Sequence, residues 1–95
     1  MSSVVAAAVT ALNEKLPGGF SGLAKVVISD EGAIMLDGSG ARAGDEAADV
    51  TLTADAETFQ GILSGDVNPT AAFMMGKLSV DGDMGLAMQL GAVLS

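Results

Sequence analysis

The stretch from Leu63 to Leu90 constrains this chain most, because its turn residues divide it into elements whose order leaves few ways to reverse direction. Gly65 ends a helix, and Asn68-Pro69 opens another of about one turn. Proline lacks the N–H that a first helical turn leaves unpaired anyway, and Asn68 offers a side-chain oxygen to the amides that follow, so the pair is an N-cap and first helical position. Gly76 stops that helix, since glycine enters the left-handed conformation without a Cβ clash. Lys77-Leu78-Ser79-Val80-Asp81 then alternates as a strand with Leu78 and Val80 inward, and Asp81-Gly82-Asp83 turns into a last helix. From Met84 to Ser95 only Gln89 and Ser95 are polar, so this helix is either buried or closed over something apolar.

Upstream, Ser2 or Ser3 can cap a helix in which Val5, Val9, Leu12 and Leu16 form one apolar stripe, ended by Pro17-Gly18-Gly19. Leu23, Ala24, Val26, Val27 and Ile28 predict a strand, and Asp30-Glu31-Gly32 a tight turn into Ala33-Ile34-Met35-Leu36-Asp37, giving a hairpin. Gly38 to Ala47 is rich in Gly and Ala and fits a loop or a weak edge strand. Alternation returns in Asp49-Val50-Thr51-Leu52-Thr53, with Val50 and Leu52 on one face, so the opposite side of the sheet is expected to be wet. Asp55 caps the next helix, whose Ala56, Phe59, Ile62 and Leu63 form its apolar stripe. No repeat or linker breaks the order. It predicts a single α+β domain over residues 1–95, with helices on one face of a mainly antiparallel sheet.

Hydrophobic residues make up 49% of the chain against 17% charged, more apolar surface than a small domain needs. The surplus must face a ligand cavity, a partner or a membrane, and composition does not choose. Twelve acids against Lys15, Lys25, Arg42 and Lys77 give a net charge of −8, which repels nucleic-acid phosphates and argues against nucleic-acid binding. Without cysteine there is no disulfide, thiolate chemistry or cysteine-based zinc site, and without histidine the usual near-neutral general base is missing. Val4 to Val9 lacks the preceding Lys or Arg of a secretory signal, and no apolar run approaches the ~20 residues that span a bilayer. Val93-Leu94-Ser95 is not a peroxisomal address of the Ser-Lys-Leu type, and a bacterial cytoplasmic protein is the simplest expectation.

Several motifs reduce to plain structure. Gly38-Ser39-Gly40-Ala41-Arg42-Ala43 matches a dinucleotide fingerprint after a strand, but Gly44-Asp45-Glu46 stand where the phosphate-binding helix should run. Asp81 and Asp83 lack the remaining ligands of a calcium loop, and capping and turn formation account for both. Asp45, Glu46 and Asp49 have no nucleophile with a base beside it and read as a solvated loop. Pro69 at the middle position excludes glycosylation at Asn68. Met74, Met75, Met84 and Met88 fit either ordinary core packing, to which the residues alone lean, or an adaptable ligand surface. With Phe20, Phe59 and Phe73 the only aromatics, any cavity is aliphatic and Met-rich rather than a stacking cage.

Asn68-Pro69-Thr70-Ala71-Ala72-Phe73, with Gly76-Lys77-Leu78 and Gly82-Asp83-Met84-Gly85-Leu86-Ala87-Met88-Gln89-Leu90, closely resembles the C-terminal signature of the type-2 sterol carrier proteins, or nonspecific lipid-transfer proteins. The resemblance implies a five-stranded sheet, with a short strand inside Gly38–Ala47, enclosing an apolar tunnel that the last helix borders or gates. It implies no catalytic centre, cofactor or metal. Carried over by position, Phe73 anchors the short helix beside the tunnel, Met84, Ala87, Met88 and Leu90 present the last helix to it, Phe59, Ile62 and Leu63 form part of its wall, and Met75 joins the lining. The implied ligand is a fatty acid, acyl-CoA, sterol-like or isoprenoid lipid. The alternative is a protein-interaction or scaffold module of lipid or quinone metabolism, with the last helix against an enzyme or a second copy in a homodimer. Three features depart from the family: a shorter N-terminal part, Gln89 where a basic residue is common, and an acidic balance where several carriers are basic. The last weakens any docking by positive charge and leaves transient membrane contact.

Overall fold

The computed structural model describes residues 3–94; Ser2, one candidate cap of the first helix, lies outside them. In chain order the elements are α1 (Ser3–Lys15), β1 (Ala24–Ile28), β2 (Gly32–Asp37), β3 (Gly40–Ala43), β4 (Val50–Ala54), α2 (Ala56–Ser64), α3 (Pro69–Met74), β5 (Leu78–Gly82) and α4 (Met84–Leu94). The fold is α+β, with a five-stranded sheet of order β3-β2-β1-β4-β5. All neighbours are antiparallel except β1 and β4, which pair parallel.

The hairpin expected from Asp30-Glu31-Gly32 joins β1 to β2, with Asp30 in the left-handed region at φ 67°. Glu31 N–H closes the turn on the Ile28 carbonyl at 3.0 Å. Within the ambiguous stretch, Gly40–Ala43 forms the edge strand β3. Its outer backbone is satisfied from α1: the Asn13 side chain accepts from Ala41 N–H at 2.8 Å and donates to the Ala41 carbonyl at 3.1 Å. One side-chain amide thus does for Ala41 what a sixth strand would do, and blunts the edge.

To reach its place beside β1, the chain after β3 must cross the sheet. Residues 44–49 make that crossing on the helix-free face, where Lys25 Nζ meets Asp45 Oδ1 at 2.9 Å and Glu46 N–H approaches Met35 Sδ at 3.5 Å. Met35, whose side chain faces away from the helices, is completely buried as a result. The face expected to be wet is therefore dry at its centre.

On the other face, Ala24, Val26 and Ile28 of β1, Ile34 and Leu36 of β2, and Val50, Leu52 and Ala54 of β4 meet the helices. From α1 come Val5, Ala8 and Leu12, with Leu16 just beyond it. Ala8 rather than Val9 is the buried member of this stripe: both positions fit the 3.6-residue period, and the helix is turned so that Ala8 faces the core while Val9 packs at its flank. Asp55 caps α2 by accepting from Thr58 N–H at 2.7 Å, and Phe59 and Ile62 fill the core beneath. Gly65 ends the helix at φ 87°. Asn68 Oδ1 accepts from Thr70 and Ala71 N–H at 2.8 and 3.2 Å to start α3, and Gly76 closes it off at φ 77°. Asp83 starts α4, its Oδ1 accepting from Leu86 N–H at 3.1 Å.

Two surface carboxylates are tied to structure. The backbone N–H of Thr58, then its hydroxyl, hold Asp55 below the usual carboxylate range; the Arg42 guanidinium, then Ser39 N–H, do the same for Asp37. Since both values are lowered on folding, their stabilisation is complete above the unfolded value of ~3.9 and is lost as pH falls through the lower folded values. Relief of repulsion among the other acids acts in the opposite sense, so variants must be compared with the parent at each pH. Urea unfolding should show Asp55→Ala and Asp37→Asn less stable than the parent at about pH 6, with both gaps narrowing by about pH 2. Gaps constant across that range would detach the two carboxylates from the pH response.

Candidate functional site

Strand alternation puts Leu78 and Val80 of β5 on the helix face, and Leu52 of β4 lies opposite Val80 in the register. These three side chains floor an open groove of about 340 Å³ between α3 and α4. Helical spacing supplies its walls. On α4, Met84, Ala87, Met88 and Gly91 recur at i, i+3, i+4 and i+7, with Leu94 one turn on. On α3, Phe73 faces them one turn beyond Asn68, Pro69 and Thr70. At one contact between the two helices Gly91 lies beside Pro69: a Cβ on Gly91 would sit 4.0 Å from Pro69 Cβ.

The opposite side of α4 is fixed to the body. Leu90 is fully buried, Leu86 packs against Gly22 so closely that a Cβ there would lie 2.8 Å from Leu86 Cδ2, and Ser21 Oγ donates to Gln89 Oε1 at 3.0 Å. Gln89, the polar residue of an otherwise apolar helix, is thus spent on this tie. The groove side stays open, with Phe73, Met84 and Met88 exposed to 44%, 51% and 74%.

Of the residues singled out from sequence, Phe73, Met84, Ala87 and Met88 come together on this groove. Phe59, Ile62 and Leu90 are fully buried in the core and Leu63 is half-buried. Phe59 and Leu63 also border a second shallow cleft, shared with Val4, Ala7 and Ala11 of α1. Met75 is 68% exposed and outside the groove lining. Sequence reasoning had Leu78 and Val80 pointing inward but did not assign them to a site; it read Asn68 and Thr70 only as the start of a helix, and nothing marked Gly91.

Chemically the lining is uniform. Among the described residues it contains no charged side chain, and its only polar ones are Asn68 and Thr70. Among the described residues no three acidic side chains gather into a possible metal site. Such a groove can bury apolar matter and offer it two neutral hydrogen-bonding groups, but it holds no group suited to take up a proton near neutral pH.

The SCP-2 sterol transfer family matches this chain over residues 8–95. Among curated proteins, hydroxysteroid dehydrogenase-like protein 2 of Danio rerio is 46% identical over 48 residues, covering 50% of this chain and 12% of that protein. The match spans about a tenth of the length of such relatives. Among solved structures, sterol carrier protein-2 of Aedes aegypti in complex with palmitate superposes with a TM-score of 0.80 at 20% identity, covering 100% of this chain and 97% of that one. UbiJ-SCP2, a ubiquinone synthesis protein, superposes at 0.67 with 19% identity, covering 99% and 93%. At these identities the two structures establish a shared fold.

The two sides of α4 predict opposite mutational costs. Leu90→Ala should cost about 2–5 kcal/mol as a cavity in the core, whereas Met88→Gln should stay within about 0.5 kcal/mol. Phe73→Ala should fall below the ~3–5 kcal/mol of a buried Phe, because much of the ring is already in water. Urea unfolding of the three variants measures this; a Met88→Gln loss as large as that of Leu90→Ala would place Met88 in packed core.

Proposed function

The chain belongs to the SCP-2 sterol transfer family, and from that membership and the groove between α3 and α4 we propose that it binds and carries lipid-like small molecules without transforming them. The observation that carries the proposal is the lining itself: an apolar floor and mainly apolar walls with no charged side chain among the described residues, and two exposed methionines on the rim. Affinity would come from removing hydrocarbon from water, at ~25 cal/mol per Å² or ~0.8 kcal/mol per buried CH₂. At about 340 Å³ the groove lies near the lower end of the roughly 300–1,000 Å³ typical of ligand sites. A long acyl or isoprenoid chain would therefore be held in part, with its remainder along the Met88 rim. Flexible, polarizable thioethers suit that task, since they fit chains of different shape. The palmitate held by the Aedes aegypti protein of the same fold is one such chain. A cytoplasmic site of action completes the proposal.

The apolar surface beyond the groove favours a second reading. Met74 and Met75 are 80% and 68% exposed at the end of α3, beside Phe73, and such a surface also suits a protein partner or second copy. UbiJ-SCP2 shows that a ubiquinone synthesis protein has this fold. A ligand that stays with the protein through several columns, seen by native mass spectrometry and lost on organic extraction, supports the carrier; an apolar patch that disappears on dimerisation supports the interaction module.

Titration with a fluorescent lipid analogue tests the carrier directly. The parent should bind saturably, and Met88→Gln and Phe73→Ala should each weaken binding several-fold in protein that remains folded. Unaltered affinity in both would remove the groove from the binding site. Charge makes a separate demand on transfer between vesicles: at a net charge of −8, anionic lipid in the acceptor should slow transfer or leave it unchanged, and salt should relieve any slowing. Several-fold acceleration by anionic lipid that collapses in salt would contradict this.

A further inference from the structure

Methionine is the residue through which this chain meets an oxidant. The chain has no cysteine, histidine, tryptophan or tyrosine, so its six methionine thioethers are the side chains that a two-electron oxidant of the peroxide class attacks most readily. The fold sorts the five that lie among the described residues into three groups. Met35 is completely buried, and its sulfur accepts from Glu46 N–H. Met74 and Met75 are exposed at the end of α3 but lie outside the groove lining. Met84 and Met88 are exposed as well, and both line the groove.

The side of α4 that holds to the body uses leucine, at Leu86 and Leu90, whereas the groove side carries methionine at 84 and 88. Leucine would give a comparable apolar wall at either position, but it has no atom that a peroxide attacks. At a thioether the sulfur lone pair attacks one peroxide oxygen. The S–O bond forms as the O–O bond breaks, a proton passes to the departing oxygen, and water leaves; sulfur is oxidised by two electrons and the peroxide is reduced by two. The product is a sulfoxide, a polar group on a formerly apolar side chain. A hydrocarbon chain lying over it would strip its water and offer no hydrogen bond in return. The thioether meets no such cost, since it is itself apolar and adaptable. Reduction of the sulfoxide by a pair of thiols on a sulfoxide reductase returns the thioether, with a disulfide and water as the other products.

We propose that Met84 and Met88 form an oxidative modification site: a peroxide converts their thioethers to sulfoxides, which lowers the affinity of the groove for apolar chains and releases its cargo, and sulfoxide reduction restores it. The inference rests on the carrier reading above and adds a regulation of the same groove. Because binding and modification use the same two side chains, a bound chain covers the sulfurs and slows their oxidation, while Met74 and Met75 remain open to the oxidant in either state.

Tryptic cleavage after Lys25, Arg42 and Lys77 puts Met35, the pair Met74 and Met75, and the pair Met84 and Met88 on three different peptides, so mass spectrometry counts the oxygens gained by each group. Hydrogen peroxide acting on the folded chain should add oxygen to both exposed pairs and none to Met35. Affinity for a pyrene-tagged dodecanoic acid should then fall about threefold to tenfold, with the urea midpoint held because the oxidised side chains are exposed. The two epimer-specific methionine sulfoxide reductases should restore it. Each variant is compared with its own affinity before oxidation. Met74→Leu with Met75→Leu should lose binding on oxidation as the parent does, and Met84→Leu with Met88→Leu should lose none. Saturating probe should slow oxygen addition at Met84 and Met88 but not at Met74 and Met75. Undiminished binding by a parent oxidised at Met84 and Met88 overturns the modification site while leaving the carrier reading intact. So does a loss that persists in Met84→Leu with Met88→Leu, that the reductases do not reverse, or that comes with a lowered urea midpoint, and so does oxidation indifferent to bound probe. A parent that fails to bind the probe before oxidation overturns the carrier reading, and this proposal with it.

Discussion

Everything at the groove depends on the parallel register of β4 on β1. That pairing sets Leu52 against Val26, and β5 in turn sets Val80 against Leu52, so one apolar row runs from Ile34 through Val26 and Leu52 to Val80. Its first members lie under α1 and α2 as core; its last is the floor between α3 and α4. A slip of one residue in β4 would invert the strand and present Thr51 and Thr53 to the helices in place of Leu52. The parallel pair is also a non-local contact, since the chain must first run out to β3 and cross back under Met35 before β4 can reach β1. The crossing segment, 44–49, is held by Lys25–Asp45 and by burial of Met35, so a stretch far from the groove helps set the groove's floor.

The far end of β5 carries the second geometric constraint. Gly82 lies opposite Val50 at φ 104°, and a Cβ on it would stand 2.3 Å from the Asp49 carbonyl oxygen, so the position admits only glycine without displacing backbone. That same carbonyl accepts from Asp83 N–H at 2.9 Å. Start of β4, end of β5 and start of α4 are thus one joint, which aims α4 across the sheet with Leu90 inward and Met84 and Met88 toward α3.

The features legible in the sequence were those whose cause lies within a few residues. Asp55, Gly65, Asn68-Pro69 and Gly76 announced their helix ends because capping is satisfied by near neighbours, and the alternation around Val50 and Leu78 announced buried faces. Where the cause is distant, the sequence was silent or misleading. Strand β3 is nearly featureless in composition and is held by Asn13, twenty-eight residues away from Ala41. The outer face looked wet because nothing in Met35 itself foretold the loop that covers it. Resemblance to a family supplied the existence of β3 and the importance of α4, and it assigned Phe59, Ile62 and Leu90 to a ligand wall; the structure buries all three and places them off the groove between α3 and α4. Their apolar character fits either place; only the direction in which each helix rolls separates the two.

Charge and apolar exposure are also segregated in a way that one physical requirement explains. Neither α3 nor α4 contains a charged residue, while the twelve acids lie on α1, α2, the strands and the connecting turns. A helix such as α4, apolar on its wet side as well as its dry one, invites association in water. The net charge of −8 opposes association between copies over distances of about a Debye length without placing any charge in the groove itself. A basic or mixed face on α3 or α4 would protect the rim equally well, but it would introduce ion pairs or fixed counter-charges into the apolar lining of the groove. Long-range repulsion from the rest of the surface opposes contact between copies at Met84 and Met88 while leaving the groove itself free of charged side chains.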